Sequence, residues 1–175
     1  MKYLRQKGSD ILQGKTHVLV GTTTLLAVAL KYPQGMEFAH NVVNPVIGML
    51  AVSAGSYAPD IDIQQSHLGK KYHFISKHFT HRGITHTLLA PFLMYCLIYT
   101  DYLPCVVNSL IFGFMFGWVV HILADLLNRK GVPIFWPLLT SKFHVMCIKT
   151  GTMQETIFTM VWLIGCVAYA YFNLL

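Results

Sequence analysis

The segment Val106–Leu127 reads VVNSLIFGFMFGWVVHILADLL and is the longest apolar run of the chain. A membrane-spanning helix needs about 20 consecutive, mainly apolar residues, and this segment meets that requirement. Near its end, His121 and Asp125 are four residues apart, so a helix places both side chains on one face. The segment therefore predicts a membrane helix that carries a polar pair close to one end.

The composition of the whole chain indicates a membrane protein. Of its 175 residues, 54% are hydrophobic and 11% are charged, whereas an average soluble domain has about 25% charged residues. The net charge of +6 could suit nucleic acid, but the basic residues border apolar segments, as they do in membrane proteins. We therefore expect no nucleic acid as primary partner. The length fits one domain, Met1–Leu175, and a soluble helical protein is the alternative.

Five apolar segments predict an all-α bundle of about five transmembrane helices. The first three are near or below the usual lower limit of about 17 residues, so their ends are less well defined. The segments are His17–Tyr32, Val42–Ala58, Leu88–Leu103, Val106–Leu127 and Thr156–Leu175. The four cysteines have no C-x-x-C spacing and predict neither a disulfide framework nor a thiolate metal site.

The distribution of lysine and arginine predicts the orientation of these helices. If the N-terminus is cytoplasmic, 12 of the 13 basic residues lie on the cytoplasmic side and only Lys31 lies outside. The positive-inside rule favours this arrangement. A cleaved signal peptide is the alternative for the N-terminus, but Thr22–Thr24 interrupt its apolar run. We predict five spans with the N-terminus inside and the C-terminus outside.

Seven histidine and aspartate residues fall at the predicted cytoplasmic face, on four different spans. Each alone has an ordinary explanation, such as an interfacial histidine or a hydrogen-bonded pair on one helix. The topology was derived from lysine and arginine only. The convergence of the histidine and aspartate residues is therefore independent evidence for a shared site. These metal-ligand candidates are His17, Asp60, Asp62, His81, His86, His121 and Asp125.

The residue types in this set indicate which metal they suit. Histidine and carboxylate ligands without cysteine are typical of zinc sites, with manganese or iron as alternatives. Seven candidates exceed what one tetrahedral ion needs. Two zinc ions are therefore the predicted cofactor, because paired metals can activate water and bind a phosphoryl group.

Five motifs, taken together and in order, resemble the YdjM-type family. They are Thr16-His17, Pro59-Asp60-Ile61-Asp62, His81–Thr87 (HRGITHT), His121-x-x-x-Asp125, and Gly131-Val132-Pro133 followed by Trp136-Pro137. The resemblance implies a multi-pass protein of the bacterial inner (cytoplasmic) membrane, LexA-regulated in some members, with metal-dependent hydrolase activity.

The order of the candidate ligands is also similar to that of bacterial zinc-dependent phospholipases C. This similarity implies that His17 and Asp125 hold one metal. Asp60 or Asp62, His81 or His86, and His121 would hold the other, with Asp125 bridging. The chain lacks the family's later His…His-x-x-x-Glu set and its N-terminal tryptophan, which argues against a third metal.

The leading functional hypothesis is a hydrolase that uses metal-activated water on a lipid or lipid-linked phosphoester at the cytoplasmic membrane face. Arg82 is the candidate phosphate partner, because its planar guanidinium matches phosphate geometry. Asp60 or Asp62 is the candidate general base. A carboxylic ester or amide substrate stays open, since the same metal chemistry polarises a carbonyl. The alternatives are a divalent-cation transporter and a non-catalytic protein stabilised by metal. The sequence predicts no oligomeric state.

Overall fold

The computed structural model describes residues 2–62, 84–100, 102–149 and 151–174, and it is mostly helical. Within these residues, the α-helices are α1 (Lys2–Lys31), α2 (Pro45–Tyr57), α3 (Leu89–Tyr99), α4 (Cys105–Leu126) and α5 (Met153–Leu174). A two-stranded antiparallel hairpin, β1 (Met36–Phe38) and β2 (Asn41–Val43), connects α1 to α2. One short 3-10 helix, Ala58–Asp62, follows α2, and another, Ile84–His86, precedes α3.

Helix α4 is the centre of the fold and packs most closely against α2. Small residues allow this approach: a Cβ atom built on Gly113 would collide with the carbonyl of Gly48, and one on Gly117 would collide with the carbonyl of Val52. Gly55 lies equally close to the backbone of Phe114. Close contacts between small residues are the usual way in which helices associate in membranes. They fix the distance between the ends of α2 and α4.

Helix α1 carries three successive threonines within its apolar part. The hydroxyl groups of Thr22, Thr23 and Thr24 donate hydrogen bonds to the carbonyls four residues earlier, at 2.7, 2.7 and 2.6 Å. Such bonds satisfy the hydroxyl groups within the helix itself. The threonines that interrupt the apolar run in the sequence therefore do not interrupt the helix.

The hairpin covers the end of the bundle that is remote from the candidate ligands. Ala39 and His40 form its two-residue turn and have positive φ angles of 51° and 61°. Type I′ hairpin turns require a positive φ at both central residues. Asn41 donates a hydrogen bond of 2.6 Å to the carbonyl of Ile98 at the end of α3. The side chain of Asn44 then accepts from the N–H of Val46 and begins α2.

The five helices correspond to the five predicted apolar segments, but their ends differ. Helix α1 starts before the predicted His17, and α5 starts at Met153. Helices α2 and α3, with 13 and 11 residues, are shorter than their segments, because Val42 belongs to β2 and a bend precedes Pro104. Within the described part of the chain, two helices are long and apolar enough to cross a membrane, Cys105–Leu126 and Met153–Asn173.

Candidate metal centre

Five of the predicted ligands converge at one end of the bundle. His17 comes from α1, Asp60 from the 3-10 helix after α2, and His86 from the 3-10 helix before α3. His121 and Asp125 come from the last two turns of α4. All five side chains are buried, and His86 and His121 have no exposed surface. Four separate elements therefore bring imidazole and carboxylate groups to a single interior point.

Asp60, His86 and His121 form a group that could hold one metal ion. The Nε2 atoms of His86 and His121 are 3.4 Å apart, and Asp60 Oδ1 lies 4.0 Å from the first and 3.6 Å from the second. A tetrahedral ion with bonds of about 2.0–2.2 Å separates its ligand atoms by about 3.3–3.6 Å. Two of the three separations match this value and the third is slightly wider, so the donor set fits a zinc-sized ion.

Hydrogen bonds on the far side of each imidazole orient the two rings. His121 Nδ1 lies 2.7 Å from the carbonyl of Ser56. Because a carbonyl can only accept, Nδ1 carries the proton, and the Nε2 lone pair of a neutral ring points into the site. His86 Nδ1 lies 3.0 Å from the hydroxyl of Thr85, whose carbonyl accepts from Trp118 at 2.9 Å. Partners of this kind are typical of metal-binding histidines.

Asp125 connects this group to His17. Its Oδ2 atom lies 3.3 Å from His86 Nε2 and 3.8 Å from His121 Nε2. Its Oδ1 atom lies 3.6 Å from His17 Nε2, and the His17 ring lies 4.1 Å from the ring of His121, centroid to centroid. One carboxylate thus directs one oxygen to the three-residue group and the other oxygen to a third imidazole, that of His17.

A small cavity of about 30 Å³ lies beside His17 and Asp125. About 10–15 Å³ suffices for one water molecule. Its wall also includes Glu155, a buried carboxylate that the sequence analysis did not select. Glu155 Oε2 accepts a 2.6 Å hydrogen bond from the N–H of Gly151. The Thr-x-x-Glu spacing from Thr152, at the start of an apolar helix, is the signal that could have indicated it.

Three candidate residues are not placed by the structure. His81 and Arg82 lie outside the described residues, and so does the side chain of Asp62. In each pair of alternatives, the described member is in the group: Asp60 of the Asp60/Asp62 pair, and His86 of the His81/His86 pair. The segment Gly131–Leu139 contacts the start of α3, where the carbonyl of Ile134 accepts from the N–H of Leu88.

One known protein family matches most of this chain. The family described as "YdjM inner membrane protein" matches residues 12–174. This chain belongs to that family. The protein named "Uncharacterized protein YvsG" from Bacillus subtilis (strain 168) is 29% identical over 148 residues, covering 82% of this chain and 85% of its own length. No solved structure matches.

The similarity to relatives named as YdjM is local. "Inner membrane protein YdjM" of Escherichia coli (strain K12) and its counterpart from Shigella flexneri are each 40% identical over 88 residues. These alignments cover 45% of this chain and 43% of the relatives. The chain is thus a membrane protein of the YdjM family. Ionisable groups buried in membrane proteins are costly and commonly mark functional sites, and here five lie together.

Proposed function

We propose that this chain is a metal-dependent hydrolase that acts on a lipid or lipid-linked phosphoester at the cytoplasmic face of the bacterial inner membrane. The observation that carries the proposal is the group of Asp60, His86 and His121, with ligand-atom separations of 3.4–4.0 Å. Two histidines and one carboxylate are a ligand set of catalytic zinc sites, which keep a further position for water or substrate.

The proposed roles of the ligands follow from the atoms that they direct into the site. Asp60, His86 and His121 would hold one divalent ion, and His17 with Asp125 would contribute to a second. Such ions would lower the pKa of a bound water and polarise a phosphoryl oxygen. Asp125 has an oxygen toward each position, so it would fix the spacing between them.

Further residues are proposed to bind and deprotonate the reactants. Since Asp60 already faces the imidazoles, Asp62, two residues later, becomes the preferred general base. Arg82, four residues before His86 in the chain, would bind the phosphate through its planar guanidinium. Burial of the group would exclude bulk water and strengthen these charge interactions.

The proposed location of the site follows from the charge distribution. Twelve of 13 basic residues lie on the cytoplasmic side if the five helices alternate in direction from a cytoplasmic N-terminus. In this arrangement His17, His86 and Asp125 lie at the cytoplasmic end of the bundle, and the hairpin lies at the outer end. Helices α2 and α3 would be about 20 and 17 Å long, so they would cross the bilayer only together with their flanking segments.

The test is metal content and hydrolysis measured on the same purified protein. Elemental analysis of wild type, His121→Ala and His144→Ala would be combined with assays on short-chain phospholipids and a generic phosphodiester. His144 is exposed and serves as the control. We expect about two metals per chain in wild type. The His121 variant should lose at least one and its turnover, while the His144 variant keeps both.

Two results would contradict the proposal. Full metal retention in the His121→Ala variant would remove this residue from the ligands. Metal-loaded wild type that hydrolyses no phosphoester, carboxylic ester or amide would instead favour a divalent-cation transporter or a protein stabilised by metal. Ion flux in reconstituted vesicles would distinguish these two.

A further inference from the structure

A second, larger cavity lies between α1 and α5. Its volume is about 430 Å³, within the range of about 300–1,000 Å³ that is usual for ligand pockets. Its lining is almost entirely apolar. The residues that form it are Thr24, Ala27, Val28, Phe158, Val161, Trp162, Gly165, Cys166 and Tyr169.

Two polar groups of this cavity, the indole N–H of Trp162 and the hydroxyl of Thr24, already have hydrogen-bond partners. Trp162 Nε1 donates a 3.0 Å hydrogen bond to the Thr24 hydroxyl, which itself donates to the carbonyl of Val20. A ligand in this cavity would therefore meet hydrocarbon and aromatic surface and would need no hydrogen-bonding groups. The Gly165 position adds space, because a Cβ atom built there has no neighbour within 4 Å.

The apolar cavity adjoins the candidate site. Phe158 lines both this cavity and the small cavity beside His17 and Asp125. At Phe158 the lining changes from apolar side chains to an imidazole and the carboxylates of Asp125 and Glu155. The order along α1 agrees, since His17 lies two helical turns, or about 10 Å, before Thr24.

From this adjacency we infer that the cavity between α1 and α5 binds an acyl chain of the substrate, drawn from the surrounding membrane leaflet. The inference rests on the proposed function and specifies its substrate class as an acyl-chain-bearing glycerolipid. The acyl chain of the lipid lies along α5 from Phe158 toward Tyr169, a span of about 16 Å. The glycerol backbone and its phosphoester then lie at the small cavity, beside His17 and Asp125.

The chemistry of the lining favours a membrane lipid over a soluble phosphoester. A soluble substrate would leave the apolar surface without an occupant, whereas an amphiphile places its tail on that surface and its polar end beside the charged residues. Because a tail that enters from the leaflet exchanges one apolar surrounding for another, its binding depends on van der Waals packing against the lining of the cavity. Activity should therefore depend on chain length as well as on the headgroup.

The test uses a matched pair of neighbouring residues on α5. Gly165→Phe adds a ring at a residue that lines the cavity, whereas Ile164→Phe adds the same ring at a residue that is 69% exposed and does not line the cavity. Binding of dipalmitoyl-phosphatidylethanolamine to the detergent-purified full chain would be measured by native mass spectrometry. Hydrolysis of dipalmitoyl and dibutyryl forms would be compared in parallel. Gly165→Leu provides a smaller obstruction should the phenylalanine variant fail to fold.

We expect wild type and Ile164→Phe to retain one dipalmitoyl lipid and Gly165→Phe to bind it about tenfold more weakly. Hydrolysis of the dipalmitoyl lipid should fall in the same variant, while that of the dibutyryl lipid should not. Equal lipid retention in all variants would overturn the acyl-chain site even if hydrolysis is observed. Selective loss of binding without hydrolysis of any lipid would support the site and contradict only the proposed function.

Discussion

The Nε2 atoms of His86 and His121 lie 3.4 Å apart although the residues are 35 positions apart in the chain. The Nδ1 atom of each ring is engaged by Thr85 or Ser56 on its far side. Two imidazole nitrogens at this distance, with carboxylate oxygens beside both, are arranged as neighbouring ligands of one cation.

The shared position of Asp125 predicts how metal content depends on each ligand. Asp125→Asn removes negative charge from the group of Asp60, His86 and His121 and also from the position beside His17. Metal content should therefore fall below about one ion per chain. His17→Ala affects only the second proposed metal position, where Asp125 Oδ1 faces His17, so about one ion should remain. Elemental analysis of purified variants measures this, with His144→Ala as the exposed control. Equal metal loss in the Asp125 and His17 variants would contradict the bridging role.

The contact between α2 and α4 predicts that Gly117→Ala lowers stability. A Cβ atom there would collide with the Val52 carbonyl and lie 2.7 Å from the backbone N of Ser56. Overpacking of this kind typically costs about 1–3 kcal/mol of unfolding free energy. Because Ser56 orients His121, metal affinity should also decrease.

Thermal unfolding in detergent, with metal content measured alongside, tests this prediction. Gly165→Ala is the matched control, because its Cβ would have no neighbour within 4 Å and alanine favours helix over glycine. An unchanged melting temperature in Gly117→Ala, together with full metal content, would show that α2 and α4 are not held at the described distance.

Two native cysteines test the proposed topology without introduced residues. Cys105 begins α4, Cys147 follows it in the loop before α5, and both are exposed. In intact cells, a variant that keeps only Cys105 should react with a membrane-impermeant maleimide. A variant that keeps only Cys147 should react after permeabilisation alone. Labelling of Cys147 from outside intact cells would reverse the proposed orientation.

Arg82→Lys separates a role in catalysis from a role in topology. Lysine keeps the positive charge that the positive-inside rule requires but loses the bidentate hydrogen bonding of arginine. If Arg82 contacts the phosphate, turnover should fall by about 10²-fold, as it does when one preorganised donor is lost. Metal content should stay unchanged, since arginine cannot ligate a cation. Unchanged turnover would exclude Arg82 from the site.

The sequence predicted the convergence of the site better than the dimensions of the helices. Placement of His17, His121 and Asp125 on one membrane face required only the position of charges along the chain, and these side chains do meet. The ends of α2 and α3 depend instead on where β2 and the 3-10 helices begin and end. Local hydropathy does not encode these boundaries.

The choice between Asp60 and Asp62 shows the same limit. Two carboxylates separated by one residue have equal ligand chemistry, so only the backbone direction after α2 distinguishes them. Glu155 was missed because its position beside His17 depends on how α5 packs against α1. The Thr-x-x-Glu spacing from Thr152 marks the start of α5, but it does not encode how far Glu155 lies from His17.

The threonine hydroxyls of α1 alter how its polarity should be counted. A hydropathy scale assigns Thr22, Thr23 and Thr24 the cost of removing a hydroxyl from water, yet each of these hydroxyls donates to a carbonyl of its own helix. Only methyl groups and an already engaged oxygen then have to enter the lipid. Transfer of α1 into a bilayer would therefore be more favourable than its composition implies.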